Sequence, residues 1–227
     1  MTMKPYLKEW IKLIQEQLLQ IIKKLPWGTL LIKLFEQVTS LKSPEKLQGL
    51  YEVLEYESTL ELKTRSGSRA TFCKRQKVRY LQDNIIAYQD QAWGDGQILL
   101  GYRCTPGVAV DRYPLGHKTM VLISLREMKS KNSIDEFHIV WGIHNGFLQT
   151  EEQWETEISH PTRRVKINIL FPKSRGPEKI KVIESGQQRS SSLPNDNIRR
   201  LPDGQWLASW EIATPRIHER YVLKWTW

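Results

Sequence analysis

The sequence contains only two cysteines, Cys73 and Cys104, in 227 residues. Small secreted scaffolds held together by disulfides need a much denser set of cysteines, so this class of fold is excluded. Both positions fall in segments with strand patterning, where a disulfide between two sheets would be possible. Because the N-terminal stretch is charged and amphipathic and has no apolar leader core, we instead expect reduced, buried thiols in a cytoplasmic protein.

Long apolar runs and recognised catalytic motifs are also missing. No stretch approaches the roughly 18 consecutive apolar residues of a membrane-spanning helix. The sequence has neither the short-spaced Cys and His pairs of a zinc site nor the Gly-x-Ser-x-Gly and phosphate-loop patterns. We therefore assign no catalytic residue, no metal and no cofactor, and we do not expect an enzyme.

A few residues would suit chemistry in another context. His138 and His144 flank a turn region, but two histidines on opposite sides of a turn need not converge on a metal. Lys74 and Arg75 follow Cys73 and would lower a thiol pKa, although a strand cysteine is more often a small core residue. The carboxylates around Trp154 are spaced as on a solvated strand face. We give each of these features a structural interpretation.

Four consecutive strands are predicted between His117 and Phe171. Alternate residues are apolar or β-branched in each segment, which is typical of strands with one face toward a core. Asn145-Gly146 has the composition of a tight hairpin turn. The predicted inward rows are Val121, Ile123 and Leu125; Phe137, Ile139, Trp141 and Ile143; Trp154, Thr156 and Ile158; and Val165, Ile167, Ile169 and Phe171.

The first 55 residues have helical periodicity. Residues 5–25 predict a first helix and residues 29–41 a second, and Ser43-Pro44 begins a third whose inward set includes Tyr51 and Leu54. Such short helices need a surface to lean on, either the rest of the chain, a partner protein or a membrane. The candidate partner-binding residues are the apolar stripe of the first helix, Leu7, Ile11, Ile14 and Leu18.

From residue 56 onward the period changes to two, and about ten strands follow with short polar turns between them. The sequence therefore predicts a mainly β fold, an antiparallel sandwich (immunoglobulin-like or related) preceded by a small N-terminal α-helical segment. The predicted domains are an N-terminal helical region, 1–55, and a β-sandwich domain, 56–227. Residues 185–197 contain almost no apolar side chains and are predicted to be a flexible loop.

The chain is basic, with a net charge of +9, which favours acidic partners. Its basic residues cluster, and on a strand every second one shares a face, which suits the spacing of phosphates. The alternative is a solvated strand face that prevents aggregation. The candidate nucleic-acid-binding residues are Lys74, Arg75, Lys77, Arg79, Arg163, Arg164 and Lys166.

Two functional hypotheses follow from these patterns. The preferred one is a non-enzymatic protein-interaction or regulatory module whose helices contact a partner protein. The alternative is a basic subunit that binds RNA or DNA in a ribonucleoprotein or defence-type assembly. A third possibility, docking of residues 5–25 on a membrane surface, is less favoured because packing on protein is commoner for such helices.

Overall fold

The computed structural model describes residues 49–227, which belong to one compact unit of fourteen strands and two short 3₁₀ turns. The fold of this part is mainly β, as predicted, and it contains no α-helix. The strands are β1 Tyr51–Leu62, β2 Arg69–Tyr80, β3 Ile85–Ala92, β4 Gln97–Thr105, β5 Val108–Leu115, β6 Lys118–Lys129, β7 Ile134–His144, β8 Glu151–Glu157, β9 Arg164–Phe171, β10 Lys179–Glu184, β11 Arg189–Ser192, β12 Ile198–Arg200, β13 Trp206–Ala213 and β14 Arg220–Thr226.

A seven-stranded sheet forms one layer, in the order β12-β13-β9-β1-β2-β7-β4. Most neighbours pair antiparallel, but β1 and β9 run parallel, with Tyr56 opposite Val165 and Glu61 opposite Leu170. The prediction of a wholly antiparallel sandwich is therefore wrong at this pair. Parallel pairing needs a long crossover, and here the intervening strands β2 to β8 supply it.

The second layer consists of two smaller sheets, β11-β10-β14-β8 and β3-β6-β5. Both pack on the inner face of the seven-stranded sheet. Phe72 lies 4.8 Å from Trp154 of the four-stranded sheet, and Phe137 stacks at 4.0 Å on Tyr88 of the three-stranded sheet. The result is a layered, sandwich-like body built from three sheets, whereas an immunoglobulin domain has two.

The four central strands were predicted correctly. They correspond to β6, β7, β8 and β9, and the inward rows of β7 and β9 are fully buried. In β6, consecutive residues from Met120 to Ile123 are all buried, so both faces of this middle strand are covered. In β7 and β9 the alternation of apolar residues thus identified the core side of the strand.

The third predicted helix is wrong at its C-terminal end. Residues 51–55 belong to β1, which pairs with β2 from Tyr51 onward. A register shift between Val53 and Glu55 interrupts the period of two at this point, and the displaced Leu54 falls at a helical spacing from Leu50 and Tyr51. The first two helices and the division of the chain into two regions fall mainly outside the described residues and stay predictions.

Two loop predictions are also wrong. Asn145-Gly146 does not close a hairpin, because β7 pairs with β2 and β4 whereas β8 pairs with β14 in the other layer. The segment 185–197, predicted to be a flexible loop, contains two 3₁₀ turns and the paired strand β11. Backbone pairing at a sheet edge does not require apolar side chains.

Candidate functional site

The outer face of the seven-stranded sheet carries most of the predicted basic residues, together with carboxylates from neighbouring strands. Arg75 lies at its centre. Its guanidinium contacts Glu55 at 2.9 Å, Glu136 at 3.2 Å and Glu57 at 3.6 Å. The hydrogen bond to Glu55 is the largest cause that raises the pKa of Arg75, and the charges of Glu136 and Glu57 add to it. A single cation is therefore surrounded by three anions.

Arg79 and Arg163 share another carboxylate, Glu52. Arg79 hydrogen-bonds Glu52 directly across β1 and β2, and Arg163 approaches the same carboxylate at 3.6 Å. Glu52 can serve both because the chain enters β9 immediately after Arg163, whose backbone N–H donates to the Val53 carbonyl at 2.9 Å. The basic groups predicted from separate parts of the sequence are thus brought together at β1.

Lys166 and Arg164 of β9 are also each paired with a carboxylate on a neighbouring strand. Lys166 lies 3.0 Å from Glu57, and this hydrogen bond is the main reason that the pKa of Glu57 is lowered. Arg164 makes a two-pronged contact with Glu211 of β13, at 2.6 Å and 2.8 Å. That contact lowers the pKa of Glu211.

Lys77 is the remaining member of the row. It lies directly opposite Glu55 on β1 and Glu136 on β7. We call this mixed array the charged face; its cations are Arg75, Lys77, Arg79, Arg163, Arg164 and Lys166, and its anions are Glu52, Glu55, Glu57, Glu136 and Glu211. Because the two signs are interleaved strand by strand, the charged face is not a continuous basic track.

Lys74 does not belong to the charged face. It points into the space between the layers, is 8% exposed, and forms an ion pair with Asp90 of β3, which is 2% exposed. The alternation of β2 explains this position, because Lys74 shares a face with the buried residues Phe72 and Gln76. Its predicted place in a nucleic-acid-binding surface is therefore incorrect.

The Lys74–Asp90 pair is part of a polar link between layers. Tyr102 of β4 donates a hydrogen bond to the second oxygen of Asp90 at 2.9 Å, and Tyr88 donates to Gln76 at 2.9 Å. Burial, reinforced by the charge of Asp90, strongly raises the pKa of Tyr102. The phenol therefore stays protonated and remains a donor to the carboxylate.

The histidine and cysteine residues considered from the sequence do not form a reactive site in the described residues. His138 extends from the charged face and contacts Glu136 at 3.0 Å, and within residues 49–227 no group of three or more His, Cys, Asp or Glu is placed to hold a metal ion. Cys73 and Cys104 are free thiols, and contrary to expectation Cys73 is exposed and Cys104 is only partly buried. Partial loss of solvent around each sulfur raises the pKa of both thiols.

The candidate partner-binding residues, Leu7, Ile11, Ile14 and Leu18, lie outside the described residues. Over the described part of the chain, no helix is long and apolar enough to cross a membrane.

The carboxylates that neutralise the basic residues are not evident from the sequence. Glu55 and Glu57 alternate along β1 as the arginines do along β2, but the helical pattern that runs to residue 55 obscures this alternation. Asp90 was missed because its strand, β3, gave no signal of a charged interior. The alternation of residues along β2 is the signal that identifies the position of Lys74. Because Lys74 alternates with Arg75, the two side chains lie on opposite faces, and Lys74 lies on the core side.

Comparison with known proteins finds similar chains among solved structures. No protein-family model matches the sequence, and a search of curated proteins finds no match. Among solved structures, an M1 zinc metallopeptidase from Deinococcus radiodurans is similar with a TM-score of 0.44 and 8% identity, over 78% of this chain and 42% of that one. A protein from Legionella pneumophila, provisionally named a nutrient binding protein, gives a TM-score of 0.47 at 5% identity, over 78% and 67% of the two chains.

A protein from Parabacteroides distasonis, provisionally named a protease, gives similar values: a TM-score of 0.45 and 9% identity, over 78% of this chain and 40% of that one. The chain thus spans less than half the length of the two peptidase-type structures. At these identities and TM-scores the likeness carries no information on what this chain binds or catalyses.

Proposed function

We propose that this chain is a non-catalytic protein-interaction or regulatory module. The observation that supports this proposal is the interleaving of cations and carboxylates on the charged face. A surface of alternating sign is complementary to another protein surface with its own pattern of charges, and such complementarity favours one partner and one register over others. A polyanion, by contrast, would meet Glu55 and Glu57 wherever it met Arg75.

In this proposal the β body is a rigid cytoplasmic platform, and the stripe Leu7, Ile11, Ile14 and Leu18 supplies apolar contact with the partner protein. An apolar helical stripe flanked by charges is a common protein-docking element. The immunoglobulin-like relationship predicted from the sequence concerns the layered architecture only, and it carries no part of the functional argument.

A capture experiment with matched variants tests the proposal. The full chain is immobilised and compared with Leu7→Asp/Ile11→Asp, and with the control Lys8→Asp/Lys12→Asp on the polar side of the same segment. We expect a specific bound protein that is retained by the control and lost with the stripe variant. A monomeric full chain whose bound proteins do not depend on the stripe would refute the proposal.

Binding of nucleic acid is the second candidate, because the structure brings Arg163, Arg164 and Lys166 to the same sheet face as Arg75 and Arg79. Each of these five cations except Arg163 has a carboxylate within 3.2 Å. Titration with single- and double-stranded nucleic acid at about 50 mM salt, where counterion release is strongly favourable, distinguishes the two functions.

A further inference from the structure

One edge of the four-stranded sheet is formed by β11, whose sequence is Arg-Ser-Ser-Ser and whose four residues are all exposed. It pairs with β10 without a register shift, and the Leu193 N–H extends the ladder to the Ile180 carbonyl at 2.9 Å. In an antiparallel ladder, residue pairs that exchange backbone hydrogen bonds alternate with residue pairs that do not. The N–H and C=O groups of Ser190 and Ser192 therefore point away from β10, and no described residue pairs with them.

Other sheet edges are obstructed. In β5 a register shift lies between Ala109 and Asp111, the Arg112 N–H is bonded to the Asp111 carboxylate at 2.8 Å, and Pro114 has no N–H to donate. In β4 the positive φ values of Leu99 and Gly101 accompany two register shifts.

The three remaining edges are also unsuitable. Strand β8, the other edge of the four-stranded sheet, pairs regularly with β14 but carries four glutamates, so it would repel an acidic strand. Strand β12 has three residues, and β3 is buried over most of its length. β11 thus combines exposure, regular pairing and freedom from proline.

The surroundings of β11 are positively charged. Lys181 lies opposite Ser192 on one side and opposite Lys224 on the other, so two like charges face each other across β10 and β14. Lys224 pairs with Glu151 at 2.6 Å. Within the described part of the chain, Lys179, Lys181 and Arg189 have no carboxylate at ion-pair distance, although Glu184 is the cross-strand neighbour of Arg189.

We propose that β11 accepts an extended, acidic segment of a partner protein as an additional strand, an inference that rests on the interaction function proposed above. The backbone groups of Ser190 and Ser192 would pair with the segment, as in other strand-addition complexes. Strands are about 4.8 Å apart, so the new strand lies about 10 Å from β10, a gap that a lysine and a glutamate side chain span together.

The charge pattern selects this occupant over a second copy of the chain. Two β11 edges paired about a two-fold axis would bring Arg189 and Lys181 of one copy toward the same residues of the other. Like charges directly opposite destabilise a ladder, whereas glutamates alternating along the added strand relieve the Lys181–Lys224 opposition.

A titration of the full chain with a labelled ten-residue peptide tests this inference by fluorescence anisotropy. The peptide alternates Glu with Thr, and its control has the same sequence with every second amide N-methylated, which removes the donors needed for pairing. We expect saturable binding of the plain peptide that weakens at least tenfold on N-methylation, and also on raising salt from about 50 mM to about 500 mM.

Variants of the chain complete the test. Lys179→Glu/Lys181→Glu should weaken binding at least tenfold, whereas Lys131→Glu/Lys173→Glu, which changes net charge equally at other exposed sites, should change it less than threefold. Equal binding of the N-methylated peptide would overturn strand addition, because only electrostatic attraction would remain. Absence of binding would also overturn it, yet a partner lost only with the Leu7→Asp/Ile11→Asp variant would leave the proposed function standing.

Discussion

Removing the ammonium group from between the layers should destabilise the fold strongly. In Lys74→Met, the carboxylate of Asp90, 2% exposed, keeps a single described hydrogen bond, from Tyr102 at 2.9 Å. Breaking a buried ion pair by deleting one partner costs about 3–5 kcal/mol, since an uncompensated charge stays in a poorly solvated site. Met fills a volume similar to the lysine stem, so little of this cost comes from lost packing.

The double variant Lys74→Met/Asp90→Asn provides the control. It removes both charges and keeps an acceptor for Tyr102, so it should cost about 2 kcal/mol less than the Lys74→Met variant. Urea unfolding of the full chain, followed by tryptophan fluorescence, gives the free energies of unfolding from the midpoint and slope. A loss below about 1 kcal/mol in Lys74→Met, or additive effects in the double variant, would refute the account of this pair.

Three other outcomes are expected. Lys166→Met should lower stability at pH 7 but not at acid pH, because the lowered pKa of Glu57 stabilises the fold only while the carboxylate is ionised; urea unfolding at several pH values checks this, and a loss that persists below the folded pKa of Glu57 contradicts it. The phenol of Tyr102, whose pKa is raised, should ionise only as the fold is lost above pH 10, so Tyr102→Phe should reduce the 295 nm absorbance change that accompanies alkaline loss of near-ultraviolet circular dichroism. Gly67→Ala should destabilise by more than about 3 kcal/mol, because its Cβ would lie 1.5 Å from a backbone oxygen, whereas Gly116→Ala, with open space and a similar φ, should cost about 1–2 kcal/mol in thermal or urea unfolding.

The local part of the fold was predictable from the sequence. The inward rows of β7 and β9 were identified because a one-residue slip would turn them to solvent, so the alternation is strictly kept. The same rule placed Arg75, Lys77 and Arg79 on one face. The prediction of a helix over residues 51–55 was wrong because the bulge between Val53 and Glu55 breaks the strand alternation on which the rule depends.

Long-range pairing was not predictable in the same way. A turn signal such as Asn145-Gly146 reports the local φ angles, and Asn145 does have a positive φ, but it does not state which strand lies beside the next one. The parallel β1–β9 pair joins residues more than a hundred positions apart. Arg75 meets carboxylates on two other strands because β2 lies between β1 and β7 in the sheet. The basic cluster was therefore visible in the sequence, but its neutralisation by these carboxylates was not.

The charged face can be tested directly by comparing the wild-type chain with Glu52→Gln/Glu55→Gln/Glu57→Gln, which removes three of its five carboxylates and so releases Arg79 and Lys166 and leaves Arg75 with Glu136 alone. Both proteins are titrated with labelled single- and double-stranded nucleic acid at about 50 mM and about 200 mM salt. The account predicts no saturable binding by the wild type and a gain of salt-sensitive binding by the variant. Tight wild-type binding that weakens steeply with salt and is unchanged in the variant would contradict it.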